Sequence, residues 1–489
     1  MDVSDSRPGG TVVELPELTG PIAAAHGGSG SRPFLAAQPR FDLTADDYVE
    51  QEFLLSGQAC VYGWRTGPAL GRLGDGGYLT RVLVRRPRRA LRFSGNVWVE
   101  LLNPTFGYDV DFVWGLSHRH FMRTGDAWVG VTIKPIALAA LRAFDSRRYA
   151  GIGMPDPRFR ELPPAHGRTR AEASGEAGLA WDMIAQLGAL LRAGGSRSPL
   201  SGWPIRCLGL TGYSQSAAYA LVYMSTIAGR ACRFGGGPIF DAYLPIAGSY
   251  AGIPINGREQ PPPAGDRRSR LRAAAGTVAI VVSTQADFFT ATTWERRTHR
   301  PADRDHDGAI RLYEVAGAGH LSQQMIRTLP AARDVIAAGC TPFGGWLYPP
   351  SDFPLHYIVN GAFANLADWV RHATYPPRAG RLRPANPTSW PVDAKADALG
   401  NALGGVRSPS LDVPIATYLA RTPGPGHVGL MVGHKLDFAP EFTRTLYGSH
   451  AGYLDRVATR TEQLRQSRWL TTPDSKEIIA HAQQHQTSL

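Results

Sequence analysis

The run Ile205-Arg206-Cys207-Leu208-Gly209-Leu210-Thr211-Gly212-Tyr213-Ser214-Gln215-Ser216, continued by Ala217-Ala218-Tyr219-Ala220-Leu221-Val222, decides the fold. Ile205 to Thr211 is a mainly apolar stretch of strand length, and Ala217 to Val222 has the small, apolar character of a buried helix. Between them lies the pentapeptide Gly212-Tyr213-Ser214-Gln215-Ser216. A serine on a sharp strand-to-helix turn has its hydroxyl lifted clear of the backbone and a helix N-terminus behind it. Small residues two places before and after the serine let such a turn close. Here they are Gly212 and Ser216, so a serine stands where a second glycine is usual. The string alone is common, and its weight depends on partners elsewhere in the chain.

Working outward, strands are expected at Tyr48–Tyr62, Tyr78–Arg86, Asn96–Leu102 and Ala127–Ile133 before the pentapeptide. Others are expected at Ala242–Ala247, Thr277–Ser283 and Ile310–Val315 after it. Helical spacing marks Asp109–Thr124, Gly178–Leu191, Ser214 to about Ala228, Tyr357–His372, Tyr453–Arg468 and Ser475–Gln484. Strands alternating with helices predict an α/β fold with a mostly parallel sheet and helices on both faces. The first strands follow one another directly, which suits an antiparallel start. Residues 1–40, rich in Gly, Pro, Ser and Ala, are expected to form an arm. Residues 41–340 then form the core, and 341–489 a C-terminal extension that packs on the core and walls the pocket.

In such a sheet, ligands sit at the carboxyl ends of the parallel strands. Two suitable residues follow strands there: Asp287, after Val278–Ser283, and His320, after Leu312–Val315 and the glycines 317 and 319. The order Ser214, Asp287, His320 is the one a nucleophile-elbow hydrolase needs. Serine is a poor nucleophile unaided, so His320 would take its proton and return it to the leaving group. Asp287 would hold the imidazole in the required tautomer. It could instead only cap the helix at Phe288, with Asp303, Asp305 or Asp307 as the acid. The oxyanion needs two backbone N–H donors. Gln215 is one candidate, and the turn near Thr105 or Phe106 supplies the other, since Pro104 has no N–H. His118 and His120, on the helix after that turn, could line the pocket or pack in the core.

Composition narrows the alternatives. The chain has 489 residues, 43% of them hydrophobic, and a net charge of +11. Only Lys134, Lys395, Lys435 and Lys476 are lysines, so the charge is arginine, clustered at Arg85-Arg86-Pro87-Arg88-Arg89 and Arg267-Arg268-Ser269-Arg270. These clusters read as solvated loops, and no reader motif points to nucleic acid. No apolar run reaches the roughly 18 residues of a membrane span. The N-terminus lacks a signal-peptide pattern, so a cytoplasmic protein is expected. Cys60, Cys207, Cys232 and Cys340 are widely spaced and form no zinc or dithiol motif. Asp303-Arg304-Asp305-His306-Asp307-Gly308 with Glu314 fits the calcium-loop pattern of EF-hands. Ile310 to Val315 reads as a strand, though, where that motif needs a helix, so no metal is expected.

The chain resembles the bacterial "alpha/beta hydrolase domain" proteins, large members of the α/β-hydrolase superfamily. The resemblance runs from about residue 44 onward. It is carried by Tyr48-Val49-Glu50-Gln51-Glu52-Phe53, Leu102-Asn103-Pro104-Thr105, Gly125-Asp126-Ala127-Trp128 and Trp181-Asp182. Thr211-Gly212-Tyr213-Ser214-Gln215-Ser216 is its centre. Tyr313-Glu314-Val315-Ala316-Gly317, Gly400-Asn401-Ala402 and Gly404-Gly405-Val406-Arg407 complete it. It implies an α/β-hydrolase fold with Ser214 as nucleophile and His320 as base; no cofactor is expected. Where the family often reads Glu-x-Asp, this chain has Gln285-Ala286-Asp287, which leaves Asp287 as the acid. The expectation is a serine esterase acting on a small-molecule ester through an acyl-enzyme. An acyltransferase or lactonase with the same three residues, and a catalytically impaired fold used for binding, are the alternatives. Phe106, Tyr213, Trp114, Asn401 and Arg407 are the candidate pocket residues.

Overall fold

The computed structural model describes residues 11–23, 31–67, 69–158, 175–232, 236–248, 253–263, 266–290, 308–386, 393–422 and 432–484. Nine strands form one sheet: β1 (Glu17–Thr19), β2 (Tyr48–Trp64), β3 (Leu70–Pro87), β4 (Asn96–Leu101), β5 (Ala127–Val131), β6 (Cys207–Tyr213), β7 (Ala242–Ile246), β8 (Val278–Thr284) and β9 (Ile310–Val315). Their order across the sheet is β1-β2-β3-β5-β4-β6-β7-β8-β9. The β1, β2, β3 and β5 pairings are antiparallel, and those from β5 through β4 to β9 are parallel. β3 starts earlier than its apolar pattern suggested. The glycines at 71, 74, 76 and 77 would be poor strand formers alone, but β2 pairs with them from Gln58 to Gly63.

Helices α1 (Phe112–Thr124) and α4 (Leu355–His372) cover one face, and α2 (Ala180–Ala193) and α3 (Gln215–Val222) the other. Phe363 of α4 lies 4.8 Å from both Trp98 of β4 and Phe121 of α1, centroid to centroid. Trp181 of α2 stacks on Tyr219 of α3 at 5.1 Å. The expected division at residue 340 therefore falls inside one apolar core, which runs without a break from Phe34 to Leu470. The C-terminal region also closes the sheet. Val406 bridges Val315 in parallel, and its N–H donates to the Glu314 carbonyl at 2.7 Å. An open edge at β9 is thereby covered. Gly405 has to be glycine there, because a Cβ would sit 2.4 Å from the same carbonyl oxygen.

The expected arm is also tied down from residue 31 onward. Phe34 and Leu35 are buried, and their carbonyls accept from Arg81 and Arg85 of β3 at 2.6 and 2.7 Å. Arg85 belongs to a basic cluster expected to be solvated, yet its side chain is fully buried. It pairs with Asp111 and Glu50, both at 2.7 Å, and lies over the Trp128 ring at 4.5 Å. Arg81 pairs with Asp109 at 2.5 Å, and Arg40 adds a second guanidinium to Asp111. Asp109 and Asp111 flank Val110, which pairs with Asn103. The buried ions thus anchor the turn that follows β4. Beneath α1, Glu100 accepts from the Val113 and Trp114 N–H groups and from Trp128 Nε1. Burial nonetheless pushes its carboxyl up to about 8.

Removing one member of a buried ion set leaves the others uncompensated, at about 3–5 kcal/mol. Asp111 keeps Arg40, so Arg85→Met is expected at the lower end, about 3 kcal/mol. Urea unfolding of the variant against wild type measures the loss.

Candidate active site

Ser214 follows β6 and precedes α3 with φ 56 and ψ −119. A serine held in so sparsely populated a conformation costs on the order of 1–3 kcal/mol. Three features hold it. A Cβ on Gly212 would lie 2.7 Å from the Ser216 carbonyl carbon, and one on Gly248 would lie 2.6 Å from Ala217 Cβ. Those glycines allow α3 to approach the strand ends. The Ser214 N–H donates to the Ile246 carbonyl at 2.9 Å. Ser216 then does what a glycine could not. Its hydroxyl donates to the Tyr213 carbonyl and accepts from the Tyr213 N–H, both at 3.0 Å. Within the otherwise buried run from Cys207 to Met224, Ser214 and Gln215 are half-exposed.

His320 reaches the elbow from the loop after β9. Its Nε2 is 2.9 Å from Ser214 Oγ, and its Nδ1 is 2.7 Å from Asp287 Oδ1. An ionised carboxylate only accepts, so Nδ1 carries the proton and Nε2 is left to accept from the serine hydroxyl. Tyr213 supports the loop from below by donating its hydroxyl to the His320 carbonyl. Asp287 sits in the first turn of the helix Gln285–Thr290. Its Oδ2 accepts from Thr284 N–H at 2.7 Å and Thr284 Oγ at 2.9 Å. Asp287 thus caps the helix with one oxygen and faces His320 with the other. The Thr284-Gln285-Ala286-Asp287 spacing was a legible capping box. Gln285 faces elsewhere, with Oε1 accepting the Gly317 N–H at 2.7 Å, so the amide at that position docks the His320 loop.

The backbone N–H groups expected to face an oxyanion differ in whether they are already bonded. Gln215 opens α3, so its N–H has no acceptor within the helix. The Thr105 N–H, by contrast, donates to Asn103 Oδ1 at 2.9 Å. Gly107 N–H donates to the Pro104 carbonyl at 3.0 Å, which leaves Phe106 with the remaining N–H of the turn. Asn103 also donates its Nδ2 to the Tyr213 carbonyl at 2.6 Å and ties this turn to the elbow.

Other expected pocket residues are structural. Tyr213 and Trp114 are fully buried. Asn401 is fully buried too: its Nδ2 donates to the Ala416 carbonyl and its Oδ1 accepts the Tyr418 N–H. The Arg407 guanidinium is occupied by Asp412, Asp397 and the Ala402 and Leu411 carbonyls. Asn401 and Arg407 therefore hold together the C-terminal segment that covers β9. His118 packs against Phe41 at 4.7 Å, and burial pushes its imidazole down to about 4. His120 is 4% exposed and is pushed down by burial as well. Asp303, Asp305 and Asp307 lie outside the described residues. Glu314, the last member of the calcium pattern, is a β9 residue whose carboxylate accepts the Leu382 N–H at 2.7 Å. Phe106, of the expected pocket residues, is half-exposed and stacks on Phe343 at 4.3 Å. Phe343 gave no sequence signal, because it lies in an irregular segment more than two hundred residues away.

The fold and this geometry define an α/β hydrolase. The chain belongs to the family described as "Alpha/beta hydrolase domain", whose model matches residues 18–480. Among solved structures, an α/β serine hydrolase without lid from Xanthomonas campestris matches at 13% identity, covering 54% of this chain and 85% of its own, with a TM-score of 0.27. An S-formylglutathione hydrolase from Agrobacterium tumefaciens matches at 12% identity, with 54% and 86% coverage and a TM-score of 0.30. A glucuronoyl esterase from Solibacter usitatus matches at 11%, with 55% and 76% coverage and a TM-score of 0.29. No curated protein matches.

Gly212→Ala is expected to force the elbow apart and to lower stability by about 1–3 kcal/mol, as overpacking does. Gly195→Ala, whose Cβ would meet nothing within 4 Å, serves as the control. Thermal unfolding of the two variants should separate them.

Proposed function

We propose that this chain is a serine hydrolase that cleaves small carboxylic esters through an acyl-enzyme. One observation carries the reading: a serine in a strained elbow lies 2.9 Å from a histidine nitrogen whose other nitrogen is 2.7 Å from a carboxylate. Ser214 Oγ attacks the ester carbonyl as His320 Nε2 takes its proton. The tetrahedral oxygen is stabilised by the N–H groups of Gln215 and Phe106. His320 then returns the proton to the departing alcohol. Water, deprotonated by the same nitrogen, releases the acid and restores Ser214. Asp287 keeps the imidazole in the tautomer that lets Nε2 accept, and its bonds to Thr284 keep the carboxylate aimed. The glutamine at 285 is compatible with this chemistry, because its contact is with the Gly317 N–H and not with His320.

A fluorophosphonate probe tests the nucleophile. Wild type is expected to be labelled and Ser214→Ala not; labelling that persists in the variant would sink the assignment. On p-nitrophenyl acetate, Asp287→Asn is expected to lower kcat by about 10⁴-fold, as wrong-tautomer variants do. His320→Ala should lose at least as much, since losing the base disables the group as a unit. Activity that survives in His320→Ala would remove the base from the scheme.

A further inference from the structure

We infer that Phe343 and Trp346, with Phe106, form an aromatic wall that selects the acyl group of the ester. The inference rests on the serine-hydrolase reading and adds its substrate preference: bulky apolar or aromatic acyl groups over acetyl. The wall is built from two distant parts of the chain. Phe106 lies in the turn after β4 that presents one proposed oxyanion donor. Phe343 stacks on it nearly face to face, at 4.3 Å and 19°. Trp346 stands edge-on to Phe343 at 4.9 Å. All three rings are half-buried. Aromatic rings grouped in this way offer a large, rigid apolar surface at low entropic cost.

The segment is held in place at both ends. The Cys340 N–H donates to the Val335 carbonyl at 3.0 Å, and a Cβ on Gly107 would lie 3.6 Å from the Cys340 sulfur. At the far end, Tyr348 stacks on His434 at 5.1 Å. The strap therefore crosses the oxyanion turn as a fixed surface.

Position decides which part of the ester meets this wall. The departing alcohol must receive its proton from His320 Nε2, so it leaves on the histidine side. From Phe106 to His320 the rings run Phe106–Phe112–Tyr213–His320, in steps of 6.3, 5.4 and 5.6 Å. Phe106 and His320 are thus linked through two buried rings and are not in direct ring contact with each other. What lies against Phe106 is the group that stays on Ser214.

The test uses full-length protein and p-nitrophenyl esters with one leaving group and a varied acyl group: acetate, butyrate and benzoate. Phe343→Ala and Trp346→Ala are each expected to lower kcat/KM for benzoate by about tenfold or more, the range hydrophobic pockets discriminate. Acetate should lose several-fold less than benzoate, and Phe343→Leu should keep most of the benzoate activity. A parallel series of acetate esters with varied alcohols should keep its order of preference. Equal losses on acetate and benzoate, or selectivity that changes along the alcohol series, overturn the wall. Fluorophosphonate labelling of Ser214 in the same variants separates the two claims. Intact labelling with uniform losses refutes the wall alone, and absent labelling of wild type refutes the hydrolase reading beneath it.

Discussion

The arrangement turns on one backbone constraint, the positive φ of Ser214. A non-glycine residue keeps such a conformation only where its surroundings over-determine it. Here they do so by subtraction and by addition. Gly212 and Gly248 omit Cβ atoms that would collide with the first turn of α3. Ser216 adds a two-way hydrogen bond to the Tyr213 peptide, and Ile246 accepts the Ser214 N–H. The departure from a second glycine is thus a gain in rigidity. A smaller residue would have closed the turn but left the Tyr213 N–H to find another partner.

A second layer of order comes from charge buried far from the elbow. Arg81 and Arg85, on β3, hold Asp109 and Asp111 at the foot of the turn after β4. That turn carries Phe106 and, through Asn103, grips the Tyr213 carbonyl. Buried ion pairs are poor sources of net stability, but they fix position strongly, because any other arrangement strands a charge. The same economy is seen at Asp287, where one carboxylate both caps a helix and faces His320.

The fold was largely legible because its signals are local. The Ile205–Thr211 run, the small residues after Ser214 and the alternation of strand and helix each depend on neighbours in the chain. Asp287 and His320 were legible for a related reason: each follows a recognisable strand, and strand ends converge at one edge of a parallel sheet. Other expectations failed where sequence gives residue type but not direction. Asn401 and Arg407 are polar residues in a distinctive segment, which suits a pocket as well as it suits a structural joint. Their hydrogen bonds place them in the joint that covers β9. Arg85 looked solvated because arginine usually is, and only its three-dimensional neighbours made burial tolerable.

By itself, the sequence determined the parallel sheet, the elbow and the chain order of Ser214, Asp287 and His320, since strand periodicity and turn chemistry are written in adjacent residues. Tertiary structure alone decided the rest. It gave Asp287 to His320 and Gln285 to Gly317, although the two side chains are only two residues apart in one helical turn. It also brought Phe343 onto Phe106 across more than two hundred residues of chain. Which atom faces which partner depends on distances between elements, and nothing in the local pattern encodes those distances.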